Sequence, residues 1–233
     1  MKKLLIIIAA GVLFSSCDSE SGSGHVITQK RSATGFTKLS VSSGIEVELR
    51  KGPGSVTVEA DDNLMEFIET EVENGTLKIG IKDHTSLHDV HIRVFVTAND
   101  ISSIKASSAA SVEVKDPLVS SGTVSLDASS AASITTSVEA PEVHMEASSA
   151  SEIKVSGRTR NVNANSSSAS TIKAFELLSE NTVAEASSGS SIDVFASVSI
   201  EANASSGSDI DYKGAAAVVK KQESSGGSVS KEN

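Results

Sequence analysis

The sequence predicts an all-β protein that folds as a parallel β-helix, a solenoid with coils of about 19 to 20 residues, short strands and little or no helix. Two observations lead to this prediction. A seven-residue core recurs seven times after residue 100, and apolar and polar residues alternate with a period of two through most of the remaining chain.

The recurring core is rich in serine and alanine, yet it keeps a fixed pattern. Its copies are ASSAASV from Ala106, ASSAASI from Ala128, ASSASEI from Ala147, SSSASTI from Ser166, ASSGSSI from Ala186, ASSGSDI from Ala204 and ESSGGSV from Glu223. Positions two and three are always Ser, and position seven is always Val or Ile. A flexible linker has no reason to hold a β-branched residue in register with a serine pair, so each copy is interpreted as one corner of a stacked coil.

The residues around each core predict which side chains point inward. Val143 and Met145 alternate with His144 just before one copy, which places the apolar pair inside and the histidine in water. Ile153, at position seven, is predicted to face the interior. The serine pairs are expected to stack at about 4.8 Å, so that their hydroxyls hydrogen-bond along the column. Position four is always Ala or Gly, which we attribute to a crowded corner.

The N-terminal half has a less regular pattern of short strands. Ile45 to Arg50 and Val56 to Ala60 alternate in hydropathy on either side of a Gly-Pro-Gly turn. Asn74-Gly75 predicts a hairpin turn, and residues 61–70 contain the only plausible helical turn. At the other end of the chain, Val218-Val219-Lys220-Lys221 is predicted to close the stack, because charged residues replace the small inward ones there.

Composition narrows the range of partners. The formal net charge is −10, and lysine and arginine do not cluster, so nucleic acid is not an expected partner. Tryptophan is absent and aromatic residues make up 3% of the chain, which leaves few flat side chains on which sugar rings or bases could stack.

The first residues read MKKLLIIIAAGVLFSSC, which has the features of a secretory signal. Two lysines precede an apolar run of eleven residues, too short to span a bilayer. Cys17 is the only cysteine, so it cannot form a disulfide within the chain, and its position resembles a bacterial lipobox. We therefore predict a signal peptide over 1–16 and lipidation at Cys17; an ordinary signal with an incidental cysteine is the alternative.

The expected domain organisation follows from these segments. Residues 17–24 form the lipidated cysteine and a flexible Gly/Ser tether, and residues 25–233 form one solenoid domain. Within that domain, 25–100 are irregular N-terminal coils, 101–222 carry the regular Ser-Ser repeats, and 223–233 form the C-terminal end.

Two groups of residues have the right chemistry for a site. The first is a histidine and aspartate cluster that could hold Zn²⁺, although a solvated loop is the simpler explanation, because His84 and His88 would share a face only on a helix. It consists of Asp83, His84, His88, Asp89 and His91. The second comprises Asp193, Asp209 and Asp211, acids that a polysaccharide-active enzyme could use. Neither group is accompanied by a catalytic motif, so no catalytic, metal-binding or cofactor-binding residue is assigned.

Several segments together resemble the bacterial family called putative auto-transporter adhesin, head GIN domain. They are VSSGIEV from Val41, VTVEADDNLMEFIETEVENGTLKI from Val56, HIRVFVTA from His91, and the Ser-Ser-Ala/Gly repeats. Glu46 stands where the family label has asparagine. The resemblance implies a parallel β-solenoid on a secreted or lipid-anchored protein with an adhesive role.

The expected function is that of a non-enzymatic lipoprotein of the cell envelope, held in the outer membrane by its N-terminal lipid and acting in adhesion or surface contact with a host, glycan or envelope partner. Two alternatives remain at this point. One is a solenoid enzyme acting on polysaccharide, and the other is a structural or assembly protein that faces the periplasm.

Overall fold

The structure, a computed structural model, describes residues 18–82, 85–88 and 90–233. It is a β-solenoid of about seven turns made of stacked parallel coils, which confirms the predicted fold class. The helical element of these residues is one 3-10 turn at Asp62–Leu64, inside the segment where the sequence predicted a helical turn. No helix among the described residues is both long and apolar enough to cross a membrane.

Twenty-two strands make up the described chain. They are β1 Asp18–Ser21, β2 Val26–Arg31, β3 Lys38–Val41, β4 Glu46–Lys51, β5 Ser55–Asp61, β6 Ile68–Glu73, β7 Thr76–Ile81, β8 Thr85–His88, β9 Arg93–Ala98, β10 Ser103–Ala106, β11 Ser111–Val114, β12 Leu118–Val119, β13 Thr123–Ala128, β14 Ser133–Ala147, β15 Glu152–Ser166, β16 Thr171–Leu178, β17 Asn181–Ala186, β18 Ser191–Phe195, β19 Ser199–Ala204, β20 Asp209–Lys213, β21 Val218–Glu223 and β22 Ser228–Lys231.

Two long sheets run along the stack and meet at the serine corners. The first sheet contains the strands that precede each corner, from β10 and β13 through the ends of β14 and β15 to β17, β19 and β21. The second contains those that follow it, from β11 through the beginnings of β14 and β15 to β16, β18, β20 and β22. Ile134, Ile153 and Ile172 lie in parallel register, so equivalent residues of successive coils are neighbours.

The inward columns form one continuous core. Val143, Met145 and Ile153 are each 0% exposed, while His144, between the first two, is only half-buried. Position seven of the repeat is buried in all seven copies. Because a single coil has nothing on either side to cover its inward residues, stacking contributes about 1.5–3 kcal/mol for each large apolar side chain that it removes from water.

Backbone conformation, and not the predicted crowding, explains the small residues at position four of each corner. Ser149 and Ala150, at positions three and four, have φ angles of 54° and 61°, and the same left-handed pair recurs in every copy. A Cβ placed on Gly189 or Gly207 would meet nothing within 4 Å. The absence of larger side chains at position four therefore reflects the left-handed backbone, which glycine adopts without strain, and the expectation of a crowded corner was wrong.

The N-terminal half adds one corner to the seven that the repeat predicts. VSSGIEV forms the same turn, with Ser43 at φ 65° and Gly44 at φ 69°. The coil of β3 and β4 stacks directly against β10 and β11, although the chain between them continues for about fifty residues. That intervening segment forms β5 to β9, of which β7 and β9 cover the other side of the β3–β4 coil.

Charged side chains lie across both ends of the stack. At the C-terminal end, Lys221 and Glu223 occupy inward columns; the Lys221 ammonium donates to the Val229 carbonyl at 2.9 Å, and the Val229 N–H donates to Glu223 at 2.7 Å. At the N-terminal end, the Arg31 guanidinium donates to the Met65 carbonyl at 2.7 Å. These contacts agree with the predicted end of the stack near Lys221, because they satisfy polar groups that no further coil covers.

Candidate binding surface

Two of the sites predicted from the sequence fall partly or wholly outside the described residues. The predicted lipidation site, Cys17, is outside them, and so are Asp83, His84 and Asp89 of the predicted metal cluster. The metal cluster therefore stays a prediction. Among the residues that are described, no group of three or more His, Cys, Asp and Glu side chains is placed to hold a metal ion.

The aspartates of the C-terminal coils do come together. Asp193 and Asp211 are register partners on β18 and β20, and Asp209 lies two residues earlier on the second of these strands. Burial, followed by the Asp211 carboxylate, raises the pKa of Asp193, and Lys173 opposes that rise. Burial and the carboxylates of Glu232 and Asp209 raise the pKa of Asp211. Asp193 and Asp211 thus form a row that continues the Lys173 column on the outer face of the second sheet, and Asp209 lies in the next outward column.

The serine pairs use their backbones, and not their side chains, to bind the coils together. The Ser148 N–H donates to the Ala128 carbonyl at 3.0 Å, and the Ala150 N–H donates to the Ser168 carbonyl at 3.0 Å; both contacts recur along the stack. From Ser107 onwards, the pair hydroxyls make no hydrogen bond to any residue that the structure describes. The predicted hydroxyl column at positions two and three is therefore not formed.

The structural hydroxyl lies instead at position five of the repeat. Ser151, Ser170, Ser190 and Ser208 are buried, and each donates to a carbonyl of the preceding coil at 2.8 to 2.9 Å. Each also accepts the N–H of position two of its own coil. In these coils the half-buried serine at position two and the exposed serine at position three are thereby left available for other contacts.

A groove runs parallel to the stack axis on the outer face of the first sheet. We call it the serine groove; its volume is about 410 Å³. One wall is the column of position-two serines, and the other is the column of residues that immediately precede the core. The first wall contains Ser148, Ser167, Ser187 and Ser205, and the second contains Glu146, Asn165, Glu185, Asn203 and Gln222.

Short and long side chains alternate along the second wall of the serine groove. Asn165 lies between Glu146 and Glu185, and Asn203 lies between Glu185 and Gln222. The Oδ1 atoms of Asn165 and Asn203 are buried and have no hydrogen-bond partner in the described part of the chain. Glu146 and Glu185 are exposed and form no ion pair with any described residue.

A column four residues away along the same strands provides a contrast. The Asn181 amide donates to Asn161 Oδ1 at 3.2 Å, and the Ser199 hydroxyl donates to Asn181 Oδ1 at 2.8 Å. These side chains satisfy one another along the stack, as expected for a structural ladder. The serine groove lacks such a ladder, although its residue types are the same.

A larger cleft, about 740 Å³, lies at the N-terminal end between β2 and β6. Arg31 lines it, and burial lowers the pKa of this guanidinium. Each of its three nitrogens already donates to the protein: Nε to Gln29, Nη1 to the Ile68 carbonyl and Nη2 to the Met65 carbonyl. Arg31 therefore joins the two edge strands across the end of the stack, and the cleft is the space around this contact.

The sequence contains a signal for the serine groove just outside the seven-residue core. The residue immediately before each core is a carboxylate or carboxamide in six consecutive copies, from Asp127 to Gln222. Only the structure shows that this column faces outward next to the position-two serines. The first member is set apart, because the Lys105 ammonium donates to Asp127 at 2.9 Å.

Comparison with known proteins gives a consistent picture of the fold. The family model described as putative auto-transporter adhesin, head GIN domain matches residues 35–216. A putative adhesin from Bacteroides fragilis superposes with a TM-score of 0.85 at 15% identity, covering 91% of this chain and 100% of its own. A putative adhesin from Parabacteroides distasonis has a TM-score of 0.75 at 20% identity, covering 92% and 100%. No curated protein matches the chain.

A further solved structure extends the comparison. A putative lipid binding protein from Parabacteroides distasonis superposes with a TM-score of 0.73 at 20% identity, covering 93% of this chain and 100% of its own. At such identities these similarities establish the shared solenoid fold only, and they do not identify a ligand.

Proposed function

Since the chain belongs to the putative auto-transporter adhesin, head GIN domain family, we propose that it is a non-enzymatic contact module of the cell envelope, held in the outer membrane by lipid on Cys17. The observation that carries this proposal is the form of the serine groove. Its polar groups repeat coil after coil along one face and do not converge on one point, which suits an extended partner better than a reacting atom.

Residues 18–25 follow the predicted signal peptide, and we call them the leader. Their contacts support an ordered attachment to the membrane. The Ser23 hydroxyl donates to Asp62 at 2.6 Å, and the Ser23 N–H donates to Asn63 at 2.9 Å. The Asn63 amide donates to the Ser21 carbonyl at 2.9 Å, and β1 pairs with β8. The segment predicted as a flexible tether is thus in contact with the body from Asp18 onwards, and a lipid on Cys17 would hold the N-terminal end of the stack next to the membrane.

Gly22 provides a specific test of that contact. A Cβ at this position would come within 2.1 Å of an Asp61 carboxylate oxygen, so a larger side chain must displace the leader or Asp61. Gly22→Leu is expected to release residues 18–25 and make them susceptible to protease. Gly24→Asn is the matched control, because its Cβ would meet nothing within 4 Å and asparagine tolerates a φ of 79°. Cleavage within residues 18–25 of the wild type as fast as in Gly22→Leu would contradict leader docking.

Lipidation is tested by processing and fractionation. Globomycin, an inhibitor of lipoprotein signal peptidase, is expected to cause the precursor to accumulate, and Cys17→Ala is expected to remove the protein from the membrane fraction. Ser15→Ala, which keeps a small residue near the cleavage site, should be processed normally. An unchanged membrane fraction for Cys17→Ala would refute the anchor.

The contact role is tested on intact cells. Cells that express the protein should adhere to glycan-coated or matrix-coated surfaces more strongly than cells that lack it, and externally added protease should cleave it. Complete protection from protease in intact cells, combined with unchanged adherence, would favour the structural or assembly role inside the periplasm.

A further inference from the structure

We propose that the serine groove binds a neutral, polyhydroxylated chain, an extended glycan that lies along the stack axis and contacts successive coils. This inference rests on the proposed contact function and names the class of partner. Its basis is the hydrogen-bonding capacity, the charge and the backbone pairing of the groove.

The hydrogen-bonding groups of the groove are unused within the described chain. The hydroxyls of Ser148, Ser167, Ser187 and Ser205 have no partner among the described residues. The carboxamide oxygens of Asn165 and Asn203 are also unpaired, but they are buried, so a ligand reaches them only after the side chain rotates. Position five already completes the corner, so the pair hydroxyls are not needed for folding. Hydroxyls, carboxamides and carboxylates repeated at about 4.8 Å offer donors and acceptors at each coil, which matches the hydroxyl groups that a sugar chain presents at each unit.

Charge selects against other polar polymers. Glu146 and Glu185 line the groove, and no lysine or arginine does. Carboxylates without a cationic partner repel phosphates and uronic acids, which disfavours nucleic acids and acidic glycans. A neutral chain of hydroxyl groups can accept hydrogen bonds from the serines and donate them to the carboxylates without bringing like charges together.

Backbone pairing selects against an added peptide strand. Four of the five strands that carry the groove, β14, β15, β17 and β19, are each hydrogen-bonded on both sides to neighbouring coils, and β21, which carries Gln222, is paired only with β19 in the described chain. A ligand on this face therefore meets side chains only, whereas strand addition needs an unpaired edge. The groove also has no aromatic residue in its lining, so each sugar is held weakly and binding should strengthen with the number of coils engaged.

The test is titration of the purified full-length protein with neutral hexasaccharides of β-1,4-linked glucose, N-acetylglucosamine and mannose, each compared with its monosaccharide. At least one hexasaccharide should bind measurably and its monosaccharide should not. The double variant Glu185→Ala/Asn203→Ala, and separately Ser187→Leu, which fills the groove, should each weaken that binding by about tenfold or more.

Thr135→Leu is the matched control, since Thr135 is exposed on the second sheet and should leave the affinity unchanged. Binding of no hexasaccharide, binding insensitive to the groove variants, or preferential binding of a polylysine peptide at the same residues would each overturn the inference. Cell adherence distinguishes failure of the glycan proposal from failure of the proposed contact function. If cells carrying Ser187→Leu adhere as strongly as wild-type cells, only the glycan groove is contradicted. If the wild-type protein confers no adherence, the contact function itself is contradicted.

Discussion

The hydroxyl of Ser151 donates a 2.8 Å hydrogen bond to the carbonyl of Ala128, a residue of the preceding coil. The same oxygen accepts the Ser148 N–H at 3.0 Å. Ser151 is 2% exposed, so this one hydroxyl connects two coils and also closes its own corner away from water. The arrangement recurs in the three following coils, and it identifies the serine of the repeat that contributes to stability.

Ser151→Ala should lower the free energy of unfolding by about 1 kcal/mol, the typical net value of one intramolecular hydrogen bond. The effect is limited because alanine occupies this position in two other copies and because the Ser148 N–H retains its bond to the Ala128 carbonyl. Chemical denaturation provides the measurement. Ser148→Ala, which removes a hydroxyl without a protein partner, should change stability by less than about 0.5 kcal/mol; an equal loss for both variants would contradict the assignment.

Ala150→Gly should stabilise the protein, which is unusual for glycine in an ordered region. Ala150 has a φ of 61°, where a Cβ costs roughly 1–2 kcal/mol that glycine avoids. Glycine also has more conformational freedom in the unfolded chain, which offsets about 0.4–1 kcal/mol of this stabilisation. Thermal unfolding should therefore show a higher midpoint. The control is Ala147→Gly, an inward strand position that should be destabilised. A lower midpoint for Ala150→Gly would show that the corner is not strained.

Ile153→Asp should abolish cooperative unfolding of the coils around it, or lower stability by more than about 4 kcal/mol. The residue is 0% exposed and stacks between Ile134 and Ile172, so the carboxylate would be buried without a partner. Ile153→Val, which only shortens the side chain, should cost about 0.5–1.5 kcal/mol. Circular dichroism on heating distinguishes these results, and wild-type stability of the aspartate variant would exclude an inward column.

Asp211→Asn should slightly stabilise the protein at neutral pH and reduce its pH dependence. The pKa of Asp211 is raised in the folded protein by burial and by Glu232 and Asp209, so the folded state holds this proton more tightly than the unfolded state. The free energy of unfolding therefore falls as the pH rises from the pKa of Asp211 in the unfolded chain through its higher pKa in the folded protein. The measurement is the unfolding midpoint from pH 3 to 8, about the range in which carboxylates titrate.

Asp127→Asn serves as the control for that experiment, because it removes an acid that pairs with Lys105 and should be mildly destabilising. If Asp211→Asn is destabilised at neutral pH, the row of acids on the second sheet is held by contacts other than those described.

The fold was predictable because the repeat alone constrains it. A Val or Ile kept in phase with a serine pair requires a recurring inward position, and Ile153 and its column neighbours are buried as expected. The interpretation of the corner was wrong in two respects, the crowding at position four and the hydroxyl column at positions two and three. Both depend on φ angles and on which serine of a run points inward, and residue type alone does not distinguish Ser148 from Ser151.

The candidate surface was less accessible to prediction. Asn165 and Asn161 are the same residue type on one strand, yet Asn161 belongs to a satisfied ladder and Asn165 does not. The difference lies in their stacking neighbours: Asn161 lies between Glu142 and Asn181, whereas Asn165 lies between two glutamates, Glu146 and Glu185. Sequence spacing identifies the column to which a residue belongs, but hydrogen-bond geometry across coils decides whether its amide remains available.

By itself, the sequence determined the period, the inward column and the end of the stack near Lys221, because burial of apolar residues at a fixed interval leaves one arrangement that covers them all. Only the tertiary structure decided that VSSGIEV is a further corner stacked against the coil that begins about fifty residues later, that the leader contacts Asp62, and that a serine column and a carboxamide column form one groove. These features depend on contacts between distant segments, which local patterns of hydropathy do not encode.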